Sequence, residues 1–341
     1  MATGFAPVTT PVQMPHMAEG LIFQQALYAA AKLGVADLLI DGPRAISELA
    51  GQLGVNESAL CRLMRLLASR SVFEETSTGT FRNSDLSQVL REGVPGSIRS
   101  LLLFWGSEFF FAPFGEILCS IQTGQPAREK LFGTNTFEYL KDHPQMARIV
   151  DDAMTNISQA MGPPVSSAYD FGAWGSLMDV GGGNGIFLAA ILRAHPQLRG
   201  VLADLPHVIE RARQRGFLGG ELEERSSMQA CDFFSTVPSG CRAYLMKHVI
   251  HDWDNERAHK ILLNCRRAVP NDGVLLLVEY DLPEGNLPSQ GKLVDVIMLV
   301  MNGGKERGIQ QYRELLAGAG FRLNQVVPVP GDLCIIESTP I

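Results

Sequence analysis

Residues 17–33 set Leu21, Ile22, Phe23, Leu27 and a run of alanines around nearly the whole circumference of a helix, leaving little polar face. A helix apolar on most sides must be covered on most sides, so a partner subunit is expected there. Ile46 to Leu53 repeats at helical spacing, Gly54 turns the chain, and Asn56 is placed to cap a helix with Leu60, Leu63, Met64 and Leu67 on one face. Val72 to Glu75 and Thr80 to Arg82 flank Thr76-Ser77-Thr78-Gly79 as two short strands of a hairpin, and the whole segment predicts a winged helix. From about 97 to 165 the pattern is helical, with an aromatic-rich run from Leu103 to Phe111. From Ser176 onward short apolar runs alternate with amphipathic helices. Strands are expected to end near Asp179, Asp204 and Asp232, followed by Ala243 to Lys247, Gly273 to Glu279, and a last pair near Val326 and Cys334 to Glu337. That alternation predicts a doubly wound α/β sheet.

The first of these strands runs Leu177-Met178-Asp179-Val180 into Gly181-Gly182-Gly183-Asn184-Gly185. An apolar run that stops at an acid and then at clustered glycines reads as a buried strand turning into a helix at a ligand-binding corner. The backbone there must take positive φ, and a ligand must come where a Cβ would collide. The spacing is G-x-G-x-G, not the G-x-G-x-x-G of loops that wrap a pyrophosphate, and Asp179 would repel a phosphate. A ligand with a cationic amino-acid end fits better, and S-adenosylmethionine (SAM) is the common one. Asp204, at the second strand's tip, is placed to accept from ribose hydroxyls. Asp232 stands where it can accept from an adenine amino group, with Phe233 beside it to cover the ring.

Composition narrows the ligand class further. The chain of 341 residues exceeds what one core organises, and 46% hydrophobic residues allow large cores. A net charge of −7 argues against nucleic-acid or anionic-membrane partners. Locally, residues 34–93 carry six Arg and no Lys against eight acids, so the winged helix lacks the positive footprint of a DNA reader. The six cysteines form no C-x-x-C pair, so neither a zinc site nor a disulfide framework is indicated. No signal peptide or membrane span is read, and a soluble, cytoplasmic protein is expected.

The fourth strand runs into Met246-Lys247-His248-Val249-Ile250-His251-Asp252-Trp253, whose end faces the same crevice as the glycine turn. His251 is therefore the candidate base; the other six histidines are given structural roles. A phenol is a poor nucleophile until its proton is removed, and an imidazole suits that task. Glu279 at the end of the fifth strand and Glu306 in Gly303-Gly304-Lys305-Glu306-Arg307 are the candidates to hold its Nδ1–H. No metal is expected. Met154 and Met161, with the aromatic run, are candidates to line an apolar pocket.

With these motifs in this order, nearly the whole chain resembles the SAM-dependent small-molecule O-methyltransferases. That family includes plant caffeate and isoflavone enzymes, animal acetylserotonin methyltransferase and bacterial enzymes that tailor natural products. The resemblance rests on Asp179 to Gly185, Asp204-Leu205-Pro206, Asp232-Phe233-Phe234, His251-Asp252-Trp253 and the Gly303 to Arg307 turn. It implies a Rossmann-like class I methyltransferase domain behind a helical, winged-helix dimerisation domain. The expected division is 1–96 for dimerisation and 97–341 for methyl transfer, the latter split into a helical pocket segment, 97–165, and a core, 166–341. Expected at the cofactor are Asp179, Gly181, Gly183, Asp204, Leu205, Asp232, Phe233 and Lys247. Expected at the acceptor are Asp252, Met298 and Asn302, beside the catalytic group His251, Glu279 and Glu306. S-adenosylhomocysteine (SAH) would be the product, and the acceptor an aromatic hydroxyl compound. Gly308, where relatives often carry Thr, and a shorter spacing after Asn302 than in plant members are departures at the pocket's edge. Two other readings stand beside this one: a relative that binds SAM for hydroxylation, decarboxylation or pericyclic chemistry, and a SAM-responsive winged-helix regulator.

Overall fold

The computed structural model describes residues 14–341, so residues 1–13 of the expected dimerisation domain lie outside the described residues. Two compact units are present, one of residues 14–112 and 143–157, the other of 113–142 and 158–341. The helix Pro144–Ala168 contributes to both.

In the first unit, the helix expected over 17–33 is broken at Glu19 into Met14–Ala18 and Gly20–Leu33. Gly34, in the left-handed region at φ 70°, ends it. Ala26, Ala30 and Ala31 are buried, while Leu21 and Ile22 are 55% and 62% exposed. Strand β1 (Arg44–Ala45), too short to read from sequence, leads into the helix Ile46–Leu53. The helix Glu57–Ala68 is capped as expected, the Asn56 side chain accepting from the Ala59 amide at 2.9 Å. Strands β2 (Phe73–Ser77) and β3 (Thr80–Asn83) close the wing in the antiparallel order β1-β3-β2. Leu49, Leu60, Met64, Leu67, Phe73 and Phe81 form its core. Arg65 pairs with Glu75 at 3.2 Å and Arg82 with Glu74 at 2.7 Å, so acids neutralise both arginines. Phe104 packs on Phe109 and Phe110.

The second unit is built on a seven-stranded sheet. Its strands are β4 (Ser176–Val180), β5 (Arg199–Asp204), β6 (Ser226–Ala230), β7 (Ala243–Lys247), β8 (Val274–Tyr280), β9 (Phe321–Val329) and β10 (Leu333–Pro340). Their order is β6-β5-β4-β7-β8-β10-β9, parallel from β6 through β8, with β10 antiparallel to both β8 and β9. Period-two alternation divides the core. Met178, Tyr244, Met246, Leu275 and Leu277 face one layer with Ile261, Leu262 and Leu316 of the helices Asn255–Ala268 and Ile309–Gly318. Leu177, Leu245, Leu276 and Val278 face the other with Leu188 and Ile209 of the helices Ile186–Ala194 and Pro206–Arg215. Every residue of β8 is buried, as expected of an inner strand covered on both faces. The chain reverses direction of travel across the sheet between β4 and β7, and ligands of open α/β sheets bind outside the strand ends at such a point.

All six cysteines are free thiols, four of them buried. Among the described residues no helix is long and apolar enough to cross a membrane.

Candidate active site

The turn after β4 has the backbone its glycines imply. Gly181, Gly183 and Gly185 lie at φ 73°, 61° and 84°, where a residue with a Cβ is strained. At Gly181 a Cβ would also stand 2.9 Å from Val249 and 3.4 Å from Phe233. Asp179 does not reach out with the other acids. It is 1% exposed and lies beneath Gly182, whose added Cβ would meet its Oδ2 at 2.5 Å. Burial raises its carboxyl well above the usual range, Lys247 opposing the rise. Lys247, at the end of β7, lies 5.4 Å above the Phe187 ring. Burial lowers its ammonium, against the pull of Asp179, Glu279 and Asp252.

Asp204 ends β5, its two oxygens held by the amides of Gly183 (2.9 Å) and Leu205 (2.7 Å), which fixes the carboxylate against the glycine turn. Asp232 is exposed and braced by the Phe234 amide and the Ser235 hydroxyl. Phe233 is half-buried beside Gly181. The bare glycine backbone, Asp204, and Asp232 with Phe233 thus present a cradle that fits the amino-acid, ribose and adenine parts of SAM in turn. Asp204→Ala should weaken SAH binding by about 1–3 kcal/mol, the worth of hydrogen bonds to a charged acceptor. Titration calorimetry showing unchanged affinity would refute the ribose assignment.

After β7 the chain makes a short 3₁₀ turn, Ile250–Asp252, that carries His251 into the strand-end crevice. His251 is 6% exposed. Nδ1 lies 2.5 Å from Glu306 Oε1 and 3.7 Å from Glu279 Oε2, while Nε2 is 3.9 Å from Asp252 Oδ1. Glu306, readable as an exposed turn charge, is 2% exposed, and Glu279 is fully buried. Burial alone would depress the imidazole, but Glu306, Glu279 and Asp252 together raise it to about 10. Burial also pushes Glu279 up, the charge of His251 resisting. One oxygen of Glu279 accepts the Ile250 amide at 3.0 Å while the other stands 3.7 Å from His251 Nδ1, so the carboxylate is tied to the turn and faces the ring it carries.

Three supports escaped sequence reading because they join residues far apart in the chain. Arg307, 1% exposed, donates to the carbonyls of Ile250 (3.1 Å), Trp253 (2.8 Å) and Lys305 (3.2 Å), clamping both ends of the His251 turn. The Lys305 amide donates to the His251 carbonyl at 2.8 Å. Thr136 donates to Asn302 Oδ1 at 2.7 Å, and Asn302 Nδ2 donates to Asp252 at 2.6 Å with Met298 Sδ at 3.8 Å. The structure therefore joins Asp252, Met298 and Asn302 in one group beside His251. Met161 is half-buried against the sheet core, and Met154, 40% exposed, belongs to the first unit.

Residues 115–322 match the O-methyltransferase domain, and residues 16–93 match the O-methyltransferase dimerisation domain. The phenazine O-methyltransferase of Lysobacter antibioticus is 41% identical over 96% of this chain and 95% of its own. Among solved structures, LaPhzM superposes with a TM-score of 0.93 at 40% identity, covering 98% of this chain and all of the other. CalO1, a methyltransferase in calicheamicin biosynthesis solved in its SAH-bound form, superposes at 0.84 with 33% identity over 99% of this chain and all of its own. A seven-stranded sheet with a glycine turn at its switch point, a histidine held by two buried carboxylates and a winged-helix unit ahead of them place the chain in the SAM-dependent O-methyltransferase family.

Proposed function

We propose that this protein transfers the methyl group of SAM to a hydroxyl of an aromatic small molecule, with His251 as the proton acceptor. The observation that carries the reading is the 2.5 Å contact from His251 Nδ1 to Glu306. It leaves Nε2 as the ring nitrogen available to the acceptor oxygen. The reaction is proposed to need no metal: a sulfonium methyl is electrophilic without a Lewis acid, and the acceptor's proton is taken by an imidazole whose charge Glu306 balances. When bound, SAM supplies an electrophilic methyl on a sulfonium. The protein's own part is to remove water, align the acceptor and hold a proton. Reacting atoms fixed about 3 Å apart and in line replace a rare encounter.

An imidazole raised to about 10 carries its proton at neutral pH in the free site. The acceptor is then bound as a phenolate against the imidazolium, which is proton-equivalent to a phenol against a neutral base. Glu306, 2.5 Å from Nδ1, stabilises the cation either way. Asp252, steadied by Asn302 and Thr136, and Met298 would border the acceptor, with Met161 a further candidate for its apolar wall. Asp204, Leu205, Asp232, Phe233, Lys247 and the turn of Gly181 and Gly183 would hold SAM, Asp179 supporting that turn from below. The kinship with a phenazine O-methyltransferase supports a polycyclic phenol of secondary metabolism as acceptor. Incubation with SAM and a panel of hydroxyphenazines, hydroxynaphthoates and simple phenols tests this. SAH should accumulate together with a product one methylene heavier, and SAH formation without such a product would overturn the reading.

The division into a dimerisation part, residues 1–96, and a methyl-transfer part, residues 97–341, is proposed with it, as is a homodimer. The exposed Leu21 and Ile22 on a helix within the matched dimerisation domain support that assembly. Leu21→Glu combined with Ile22→Glu should give a folded monomer by light scattering; an unaltered dimer would remove this helix from the interface.

A further inference from the structure

Among the described residues only Ser71, His248 and Asp332 take positive φ without being glycine, and His248 alone of these lies at the site. It stands at φ 53°, directly after β7, where its amide donates to the Val278 carbonyl at 3.0 Å. A histidine tolerates that conformation better than most residues, yet it remains strained, and strain of this kind persists where the surroundings over-determine it. The kink sets the His248 ring nearly parallel to His251, with centroids 4.9 Å apart at 21°. Tyr280 of β8 is stacked on it in turn, at 5.0 Å and 27°. His248 is thus the middle ring of the stack Tyr280, His248, His251. Its Nε2 is buried with no hydrogen-bond partner among the described residues.

We propose that His248 is a positioning residue for the base: a neutral imidazole stacked on His251 that fixes the plane of its ring, so that Nδ1 stays on Glu306 while Nε2 faces the acceptor. This rests on the reading of His251 as the base. Burial, with the neighbouring charges of His251 and Lys247, holds the His248 imidazole far below its usual titration range, so it remains uncharged beside a protonated neighbour. The charged and titratable groups around it are Lys247 at the end of β7, His251 and Asp252 on the turn, Glu279 and Tyr280 on β8, and Glu306. An uncharged ring adds no repulsion to that set, and its π face attracts the imidazolium of His251. The hydrogen bond to Glu306 fixes one atom of the His251 ring; the stack fixes its plane. Both constraints are needed to aim Nε2.

His248→Asn keeps a residue that accepts positive φ but removes the ring, and His248→Phe keeps a flat ring. In the SAH-loaded dimer the Nδ1 proton of His251, shared with Glu306, should give a far-downfield proton resonance that disappears in His251→Gln. His248→Asn should broaden or lose that resonance and lower kcat about 10- to 100-fold, as expected of a misaimed catalytic group. KM for SAM and the thermal midpoint should change little. His248→Phe should recover the resonance and most of the turnover. An unchanged resonance in His248→Asn, or a Phe variant that melts like the wild type yet turns over no better than Asn, would overturn the stack's role. Absence of the resonance from the wild type would overturn the base's hydrogen bond itself, so the two failures are distinguishable.

Discussion

Replacing His251 by Gln is expected to abolish methyl transfer at neutral pH while leaving the fold and SAH affinity close to wild type. The Gln amide can still donate to Glu306 where Nδ1–H does, so the buried carboxylate keeps a partner; what is lost is a group that can hold the acceptor's proton. General-base contributions are typically about 10²- to 10⁴-fold, and the loss should fall on turnover, not on SAM binding. Turnover of the variant should then climb with pH as solvent supplies the phenolate, rising through the acceptor's own ionisation. Glu306→Gln should cost less, because the base survives with poorer orientation and weaker support for its charge. The stability profile gives a second check. A histidine raised from 6.5 to about 10 on folding contributes stability that is complete below about pH 6.5 and gone above about pH 10. Thermal midpoints of wild type and His251→Gln should therefore converge as pH rises across that window. Wild-type turnover by the Gln variant at neutral pH would sink the mechanism, pointing to an acceptor already ionised or to alignment alone.

The parts of this site that sequence revealed are those whose constraint is local. Gly181, Gly183 and Gly185 advertise a backbone that only glycine takes easily, and the run from Val274 to Tyr280 advertises a strand covered on both faces. Asn56 declares a helix start because its side chain bonds three residues on. By contrast, the burial of Glu306 depends on Asp295 accepting its amide and on His251 meeting it across 55 residues, and nothing in Gly303 to Arg307 alone separates that from an exposed turn. Arg307 shows the same limit. A guanidinium bonded wholly to carbonyls and Asn255 leaves no charge pattern to find. Asp179 reads as one more strand-end acid, but it sits one residue before the end of β4, with its side chain under the turn. His248 was hidden for another reason: a left-handed histidine has no sequence signal, and only the kink brings its ring onto the base.

Gly304→Ala is expected to damage the enzyme as severely as the loss of a catalytic group, although residue 304 touches no reactant. Its conformation is one any residue can adopt, so the glycine is required for space and not for φ. An added Cβ would be driven into the His251 carbonyl and the Asp252 backbone, rigid atoms that cannot swing aside as a side-chain tip can. The two segments must part. The connections that cross that seam include Lys305 N–H to the His251 carbonyl at 2.8 Å, Arg307 to the Ile250 and Trp253 carbonyls at 3.1 Å and 2.8 Å, and Glu306 to His251 Nδ1 at 2.5 Å. Overpacking at such a contact costs about 1–3 kcal/mol of stability. The kinetic cost should be larger, because a displacement of about 1 Å at the base is worth about 10²-fold in rate. Circular dichroism melts should show a lowered but cooperative transition, and calorimetry should show SAH binding nearly retained, since the glycine turn follows β4 and Asp204 ends β5, outside the seam. Raising the pH should rescue Gly304→Ala less well than His251→Gln, because in the alanine variant the displaced Asp252 and its partner Asn302 take the acceptor's wall with them. An alanine variant with wild-type turnover would mean that the 303–307 segment can shift without moving His251, and the paired carboxylates would then lose their claim to orient it.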